Sequence, residues 1–474
     1  MLKRIFFFIL LTFPICLSAQ IELPEYRAEL GVIGQVGDMK PFWLISNQNA
    51  KFSPDNSSLF GGLYIGTEVK RQNVFYEEPE DTTAGFTLDY GLEAFNRYNG
   101  NYDIQLNQYY AEASWWHLNL QAGAKAESFG NQYDPLSSGS LLYSNNGRPI
   151  PKIAISSDYM DVPFTKGYIE FKGYLSHGWF EEDRYTSSPY LHHKNVYVRV
   201  GGDLPIHAHY GFHHYAIWGG YSPEYGGIPD GWNAYKKIFF VKKGDEENVP
   251  QGEVINALGE HLGSRNFGLE YEGNEYRLKA YWQTIIEDNS GKVWRNIEDG
   301  LWGILYKNQK SKNSILKTAL FEYIHTKDQS GDHERKDGHI LGGNDNYFNH
   351  KVIYHDGWTS RGYIMGTPLI TSSIIQQGQY ATPNNKLVGF HMGFMGWFTT
   401  KIQYRTLFTY SRNYGTNDRP FDRVRKNLSL VIDFQYSSQE YSSWMLNAQI
   451  AADFGNMYGS NFGFKLSLLR RGNF

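Results

Sequence analysis

The densest run of residues able to do chemistry lies between Asn344 and Pro368. It gathers Asn344, Asp345, Asn346, Tyr347, Asn349, His350, Asp356, Trp358 and Arg361. Sugars present hydroxyls that need paired donors and acceptors, and apolar ring faces that stack on aromatics. Planar amide, carboxylate and guanidinium groups beside Tyr or Trp meet both needs. These residues are therefore the candidate polysaccharide-binding set, with Tyr347, Trp358 and Arg361 expected on a surface reachable from outside. The same residues suit a second role, in which they fill a polar lumen through internal hydrogen bonds and meet no ligand. Gly357, Gly362 and Gly366 serve backbone geometry in either case.

Other constellations are weaker. His207, His209 and His213 share strand parity, and His192, His193 and His214 lie nearby. Imidazoles bind zinc, copper or nickel only when they converge with a further ligand, and lumen or loop positions explain them more simply. Ser176 and His177 are adjacent, so on a strand they point to opposite faces and cannot pair as nucleophile and base. Glu181, Glu182 and Asp183 beside Arg184 read as a solvated acidic turn rather than a glycosidase carboxylate pair. No catalytic residue, metal or cofactor is expected, and the chain does not read as an enzyme.

The elements that must position these groups are strands. Phe86, Leu88, Tyr90 and Leu92 share one face, as do Phe267, Leu269 and Tyr271, and the valines of Asn195–Val200 alternate likewise. Toward the end, Ile402, Tyr404, Thr406, Phe408 and Tyr410 form a face, followed by Leu428, Leu430, Ile432, Phe434 and Tyr436, then Trp444, Leu446, Ala448, Ile450, Ala452 and Phe454. This is the period-two strand pattern. The opposite phase carries Lys, Arg, Asp, Gln and Gly, as a water-filled lumen allows. Aromatics reach 16% while mean hydropathy is −0.51. A membrane barrel combines these, because each strand alternates lipid-facing and lumen-facing residues and aromatic girdles mark both interfaces.

The ends agree. Lys3 and Arg4 precede an apolar run from Ile5 to Phe13, and Ser18-Ala19-Gln20 offers small residues for cleavage. These are the three parts of a secretory signal. Acylation of Cys16 is the lipoprotein alternative, but Ile15 before it is bulky, so cleavage after Ala19 is expected. Cys16 is the only cysteine, so the cleaved chain has no disulfide or thiolate chemistry. Lys+Arg 45 against Asp+Glu 49, with no basic block, argues against a nucleic-acid partner. Phe462, Phe464, Leu466 and Leu468 share a phase with the terminal Phe474, the kind of last strand that barrel assembly machinery reads. The expected organisation is a signal peptide over 1–19 and one all-β, transmembrane antiparallel barrel domain over 20–474, of roughly 16 to 18 strands, in the outer membrane of a Gram-negative-type bacterium. Ser128 to Pro163, rich in Pro, Ser, Asn and Gly, reads as a long loop. Val254, Ala257, Leu258, His261 and Leu262 have helical spacing, which predicts a short helix.

The sequence also resembles the capsule assembly Wzi family of outer-membrane proteins. The resemblance is clearest from about Arg148 to the C-terminus. It is carried by Gly147-Arg-Pro-Ile-Pro-Lys152, Val162-Pro-Phe-Thr-Lys-Gly167, Ser176-His-Gly178, Leu191-His-His-Lys194 and Gly211-Phe-His-His-Tyr-Ala216 with Trp218-Gly-Gly220. Asn256-Ala-Leu-Gly-Glu-His-Leu-Gly-Ser264, Gly343-Asn-Asp-Asn-Tyr-Phe-Asn349, Gly357-Trp-Thr-Ser-Arg-Gly362 and Gly366-Thr-Pro368 complete it. The resemblance implies a barrel of about 18 strands, and a lumen packed with Tyr, Trp, His and Asn favours a plugged barrel. It also implies a surface lectin that attaches or organises capsular polysaccharide without turnover. The best-described members carry a periplasmic helical bundle, and no comparable run of amphipathic helices occurs here. A passive porin is the rival from another class, since it shares the barrel, polar lumen and C-terminal strand; charge rings at a constriction would mark it.

Overall fold

The computed structural model describes residues 23–67, 85–244, 257–438 and 443–474, apart from 288, 332–333, 337–338, 342, 344, 351, 377 and 379–380. The signal segment and Asn344 lie outside the described residues. Period-two sequence becomes strand throughout. In chain order the wall strands are β1 Glu25–Val36, β2 Ser58–Gly66, β3 Phe86–Tyr98, β4 Tyr102–Trp115, β5 Leu118–Ala124 and β6 Lys152–Ser157, which resumes at Met160–Asp161. They continue as β7 Ile169–Trp179, β8 Tyr190–Val200, β9 Ile206–Trp218, β10 Glu260–Glu272, β11 Tyr276–Gln283 and β12 Gly300–Asn308. The last are β13 Thr318–His325, β14 Lys386–Thr399, β15 Ile402–Gly415, β16 Pro420–Ser437, β17 Trp444–Gly455 and β18 Asn461–Asn473.

Each strand pairs antiparallel with the next, and β1 pairs with both β2 and β18, from Glu25↔Asn473 to Val36↔Phe462. The sheet therefore closes into an 18-stranded antiparallel barrel without free edges. Because directions alternate, connections fall on two ends. One end carries 37–57, 125–151, 180–189, 219–259, 284–299 and 326–385. The other carries Glu25, the C-terminus and mostly tight turns, such as 116–117, 273–275 and 400–401. Outer-membrane barrels keep short turns in the periplasm and long loops outside, which orients the molecule.

The expected lipid face is the outer face. Phe462, Phe464, Leu466 and Leu468 are exposed on β18 while Asn461, Gly463, Ser467 and Leu469 turn inward and are buried. On β17, Trp444, Leu446, Ile450 and Phe454 point outward and Asp453 inward. Exposed Trp115, Trp116, Tyr271, Phe398, Trp444 and Phe474 gather at the short-turn end, as an aromatic girdle does.

Two expectations are corrected. The stretch 128–163 is not all loop, because Lys152–Ser157 pairs with β5 and β7 as part of the wall. The short helix is not where its spacing put it: Val254 lies outside the described residues, and His261 and Leu262 belong to β10. A helix the sequence reading did not anticipate, α1 Trp232–Phe240, precedes them. Among the described residues no helix is long and apolar enough to cross a membrane.

Candidate functional site

The loop 326–385 does not hang into solvent; it folds against the inner face of the wall and onto two other loops. Its partner is 125–151. Ser144 N donates to Met365 O (2.7 Å), Ser144 Oγ to Gly366 O (2.8 Å), Asn146 Nδ2 to Ile364 O (2.9 Å) and Thr367 Oγ1 to Ser138 O (2.8 Å). Loop 37–57 joins through Asn49 N to Asn145 O (2.6 Å) and Ala50 N to Asn146 O (3.0 Å). Gly366 permits this approach, since a Cβ there would sit 1.9 Å from Leu141 O.

Inward-facing wall side chains hold the loops. Glu322 on β13 accepts Ser137 Oγ, Ser138 N and Ser138 Oγ, each at 2.7 Å, and also Tyr281 Oη. Gln283 accepts Leu141 N (3.0 Å), and His391 Nε2–H donates to Leu136 O (2.6 Å). Leu136, Leu141, Ile353, Ile364 and Ile370 bury against inward Leu320, Leu407 and Val431. A buried carboxylate with this many donors is satisfied rather than stranded.

Within this assembly the predicted residues take different places. Tyr347 and Trp358 are fully buried at 0% exposure, which corrects the expectation that they are reachable from outside. Tyr347 Oη donates to Asp299 (3.0 Å) and accepts Asn296 Nδ2 (2.6 Å), and burial raises its phenol pKa. Trp358 Nε1–H donates to Leu142 O (2.6 Å), and its ring meets Tyr215 edge-on at 5.5 Å. The physical reason is that a large ring with one donor contributes most where the ring is dry and the N–H still finds a carbonyl.

Asn349 is also buried, bridging Thr382 through both amide atoms, and Asn346 Oδ1 accepts Asn349 and Asn385. Asp345 N donates to Gln329 O (2.9 Å). His350 Nδ1 accepts Ile353 N (3.1 Å) and Tyr354 N (3.2 Å); burial first, and then the charge of His355, lower its pKa to about 4. Gly357, at φ +51, could carry no Cβ, which would lie 2.2 Å from Phe348 O.

Asp356 and Arg361 reach the rim of the long-loop end instead. Asp356 Oδ2 accepts Tyr185 N (2.6 Å), and Arg361 N donates to Glu181 Oε1 (2.6 Å) while its side chain is exposed. Tyr185 and His355 stack in parallel at 3.9 Å beside them, both exposed. Sequence reasoning missed these two; the available signal was an aromatic residue inside the polar turn 180–189. Arg184, read as part of a solvated turn, is buried under Gly357 O and Thr359 O and pairs with Glu181. It ties the rim to the loops beneath.

A second polar region lies lower in the barrel. A cavity of about 560 Å³ opens between the loops and the wall, with Arg27, Glu29, Lys51, Glu93, Arg405 and Asp433 among its charges. These pair as Arg27–Glu29, Lys51–Glu93 and Arg405–Asp433. Asn107 is an extra residue in β4 opposite the Glu93/Ala94 step. This bulge turns both Asn107 and Gln108 inward onto Glu93, at 3.0 and 2.8 Å. The histidines meet only in pairs, His193 Nε2 with His213 Nδ1 at 3.1 Å inside the wall and His214 with His261 outside it. His193, His207, His209 and His213 face inward and His192 and His214 outward, and no metal-binding group occurs among the described residues.

A closed barrel with an apolar outer band, polar inner face and one loop-rich end is an outer-membrane β-barrel protein. The chain belongs to the capsule assembly protein Wzi family, whose model matches residues 66–372. In structure it is similar to Wzi of Escherichia coli, described as an outer membrane protein involved in group 1 capsule assembly and a carbohydrate binding β-barrel. The TM-score is 0.56 at 14% identity, over 95% of this chain and 84% of that one, a likeness of fold. It is also similar to OccK5 (OpdH) of Pseudomonas aeruginosa (TM-score 0.47, 10% identity, 95% and 97% covered) and to OpdQ of the same organism (0.47, 8%, 95% and 98%). No curated protein sequence matches significantly.

Proposed function

We propose that this protein binds capsular polysaccharide at the loop-rich end and helps attach or organise it at the cell surface, without turning it over. The observation that carries this is the rim formed by Tyr185, His355, Asp356 and Arg361. It combines an exposed stacking pair with a carboxylate held by the Tyr185 amide and a guanidinium whose backbone is held by Glu181. The stacked pair and the tethered carboxylate lose little side-chain entropy on binding, so their contacts are retained as affinity. The rest of the set, Asp345, Asn346, Tyr347, Asn349, His350 and Trp358, supports the rim from below. In the same reading the folded loops plug the lumen. The chain would leave the cytoplasm behind residues 1–19 and reach the membrane through assembly machinery reading β18, with lipid around the band.

The porin reading has one observation in its favour, the charged cavity of about 560 Å³. Liposome conductance separates the two. Purified barrel should bind capsular glycan on an array and conduct little. High conductance with no glycan retained would replace the lectin by the porin.

A further inference from the structure

The lipid-facing phase of β7 to β10 breaks its own rule. On β9 it runs Ile206, Ala208, Tyr210, Phe212, and then His214, Ala216, Trp218. On β8 Val200, Val198 and Val196 give way to Lys194 and His192. Register aligns the change: Lys194 and His214 are cross-strand partners, and His177, His192, Ala216 and His261 form one row over four strands. From Ile206 to Phe212 the apolar stretch covers about 20 Å along the strand, or roughly 15 Å along the membrane normal at a tilt near 40°. An outer-membrane band is about 25 Å tall, so the basic row falls within membrane height.

The loop 219–259 resolves the conflict by covering the row. Helix α1 lays Ala234 and Ile238 on outward Ala216 and Trp218. Tyr235 and Phe239 pack on His192 at 5.5 and 5.6 Å. Lys194 lies 3.8 Å over the Phe239 ring and donates to the Phe239 carbonyl at the helix end. His214 hydrogen-bonds His261 (2.8 Å) beneath. The helix thus replaces the wall as the outermost surface at this height. That surface exposes Trp232 (71%) and Phe240 (63%) together with Lys236, Lys242 and Lys243.

We infer that α1 and the turn after it form a lipid-binding surface on the outer leaflet, with Trp232 and Phe240 among acyl chains and Lys236, Lys242 and Lys243 on anionic phosphate headgroups. The occupant follows from continuity with the barrel's lipid band and from charge. An aromatic-plus-lysine face is what an interfacial helix presents to an anionic membrane. The inference is independent of what the rim binds.

The test uses the full barrel, with Phe240→Cys spin-labelled and the unsubstituted protein as background. In bilayers the label is expected to be accessible to oxygen and shielded from a water-soluble nickel chelate; strong chelate accessibility would overturn the acyl-chain contact. The exposed-lysine variant K236Q/K242Q/K243Q is compared with the parent by native mass spectrometry, using phosphatidylglycerol and lipid A against phosphatidylcholine. Each basic residue near an anionic surface adds about fivefold, so the preference should fall on the order of 100-fold at normal heat-modifiable mobility. An unchanged preference would overturn the headgroup contact. So would loss of lipid binding to inorganic phosphate at equal concentration, which would mark a free-phosphate site instead.

Discussion

Replacing Trp358 by Ala separates a binding residue from a packing residue. The ring is wholly buried, lies edge-on to Tyr215, and its Nε1–H is the hydrogen bond that ties loop 326–385 to Leu142 of loop 125–151. Deleting a buried Trp costs about 3–5 kcal/mol. An orphaned buried carbonyl accounts for about 1–3 kcal/mol, some of it already within that figure. The wall strands do not depend on this ring, so the loss should appear in the loops. At 1.4 kcal/mol per tenfold, amide exchange across 343–370 and 126–151 should accelerate by about two to four orders of magnitude. Trp358→Phe keeps most of the volume and loses only the donor, so it should accelerate by roughly tenfold. Hydrogen exchange read by mass spectrometry on the reconstituted barrel measures both, and heat-modifiable gel mobility should stay normal. Liposome conductance should rise in the Ala variant as the loops loosen. Unchanged exchange in both segments would refute the packing role and return Trp358 to the candidate sugar surface.

Tyr185→Ala and Arg361→Ala remove exposed rim groups, so glycan binding should fall about tenfold or more, by analogy with base–aromatic stacking of about 1–3 kcal/mol, with loop exchange unchanged. Glu322→Ala orphans Ser137, Ser138 and Tyr281 donors and should release loop 125–151 by several kcal/mol, whereas Glu322→Gln should retain part of the docking; exchange of 134–143 distinguishes them. His350 has a folded pKa lowered to about 4 from 6.5. A depressed histidine pKa makes the unfolded loop bind more protons, so its contribution is complete above pH 6.5 and is lost as pH falls toward 4. Exchange of 350–358, corrected for intrinsic rates, should therefore accelerate across that window, and His350→Gln should flatten the dependence. Deleting Phe474, which packs on Tyr26 of β1 at 5.5 Å, should reduce barrel assembly while export continues, read by surface labelling.

The wall was legible because lipid imposes one rule on every strand. Trp444 to Phe454 and Phe462 to Leu468 must alternate, and they do so in the structure as in the sequence. Where that rule was locally suspended, the reading failed. At the upper end of β10 both faces are covered, the inner one by the buried cluster that Leu262 joins and the outer one by α1. Leu258, His261 and Leu262 are therefore all shielded, and an alternating pattern became one that resembles helical spacing. Lys152–Ser157 was hidden for a related reason, being a short strand between a long loop and a break at 158–159.

The candidate site was legible as composition and illegible as position. Asn, Asp, Tyr and Trp satisfy a sugar's hydroxyls and ring faces with the same groups that satisfy a buried loop's carbonyls and amides. Nothing local distinguishes the two uses. The decision rests on partners far away in sequence: Trp358 finds Leu142, Arg184 finds Gly357 and Thr359, and Ser138 finds Glu322. Such pairs divide the stretch into a buried part, which fixes geometry, and a rim part at half-buried Asp356 and exposed Arg361. The rim part is completed by Tyr185 and His355, a stacked pair whose members stand far apart in sequence and share no motif. A rim assembled across loops in this way needs its buried part intact. Mutations at Trp358 and at Arg361 should therefore both reduce glycan binding, and only the first should loosen the loops.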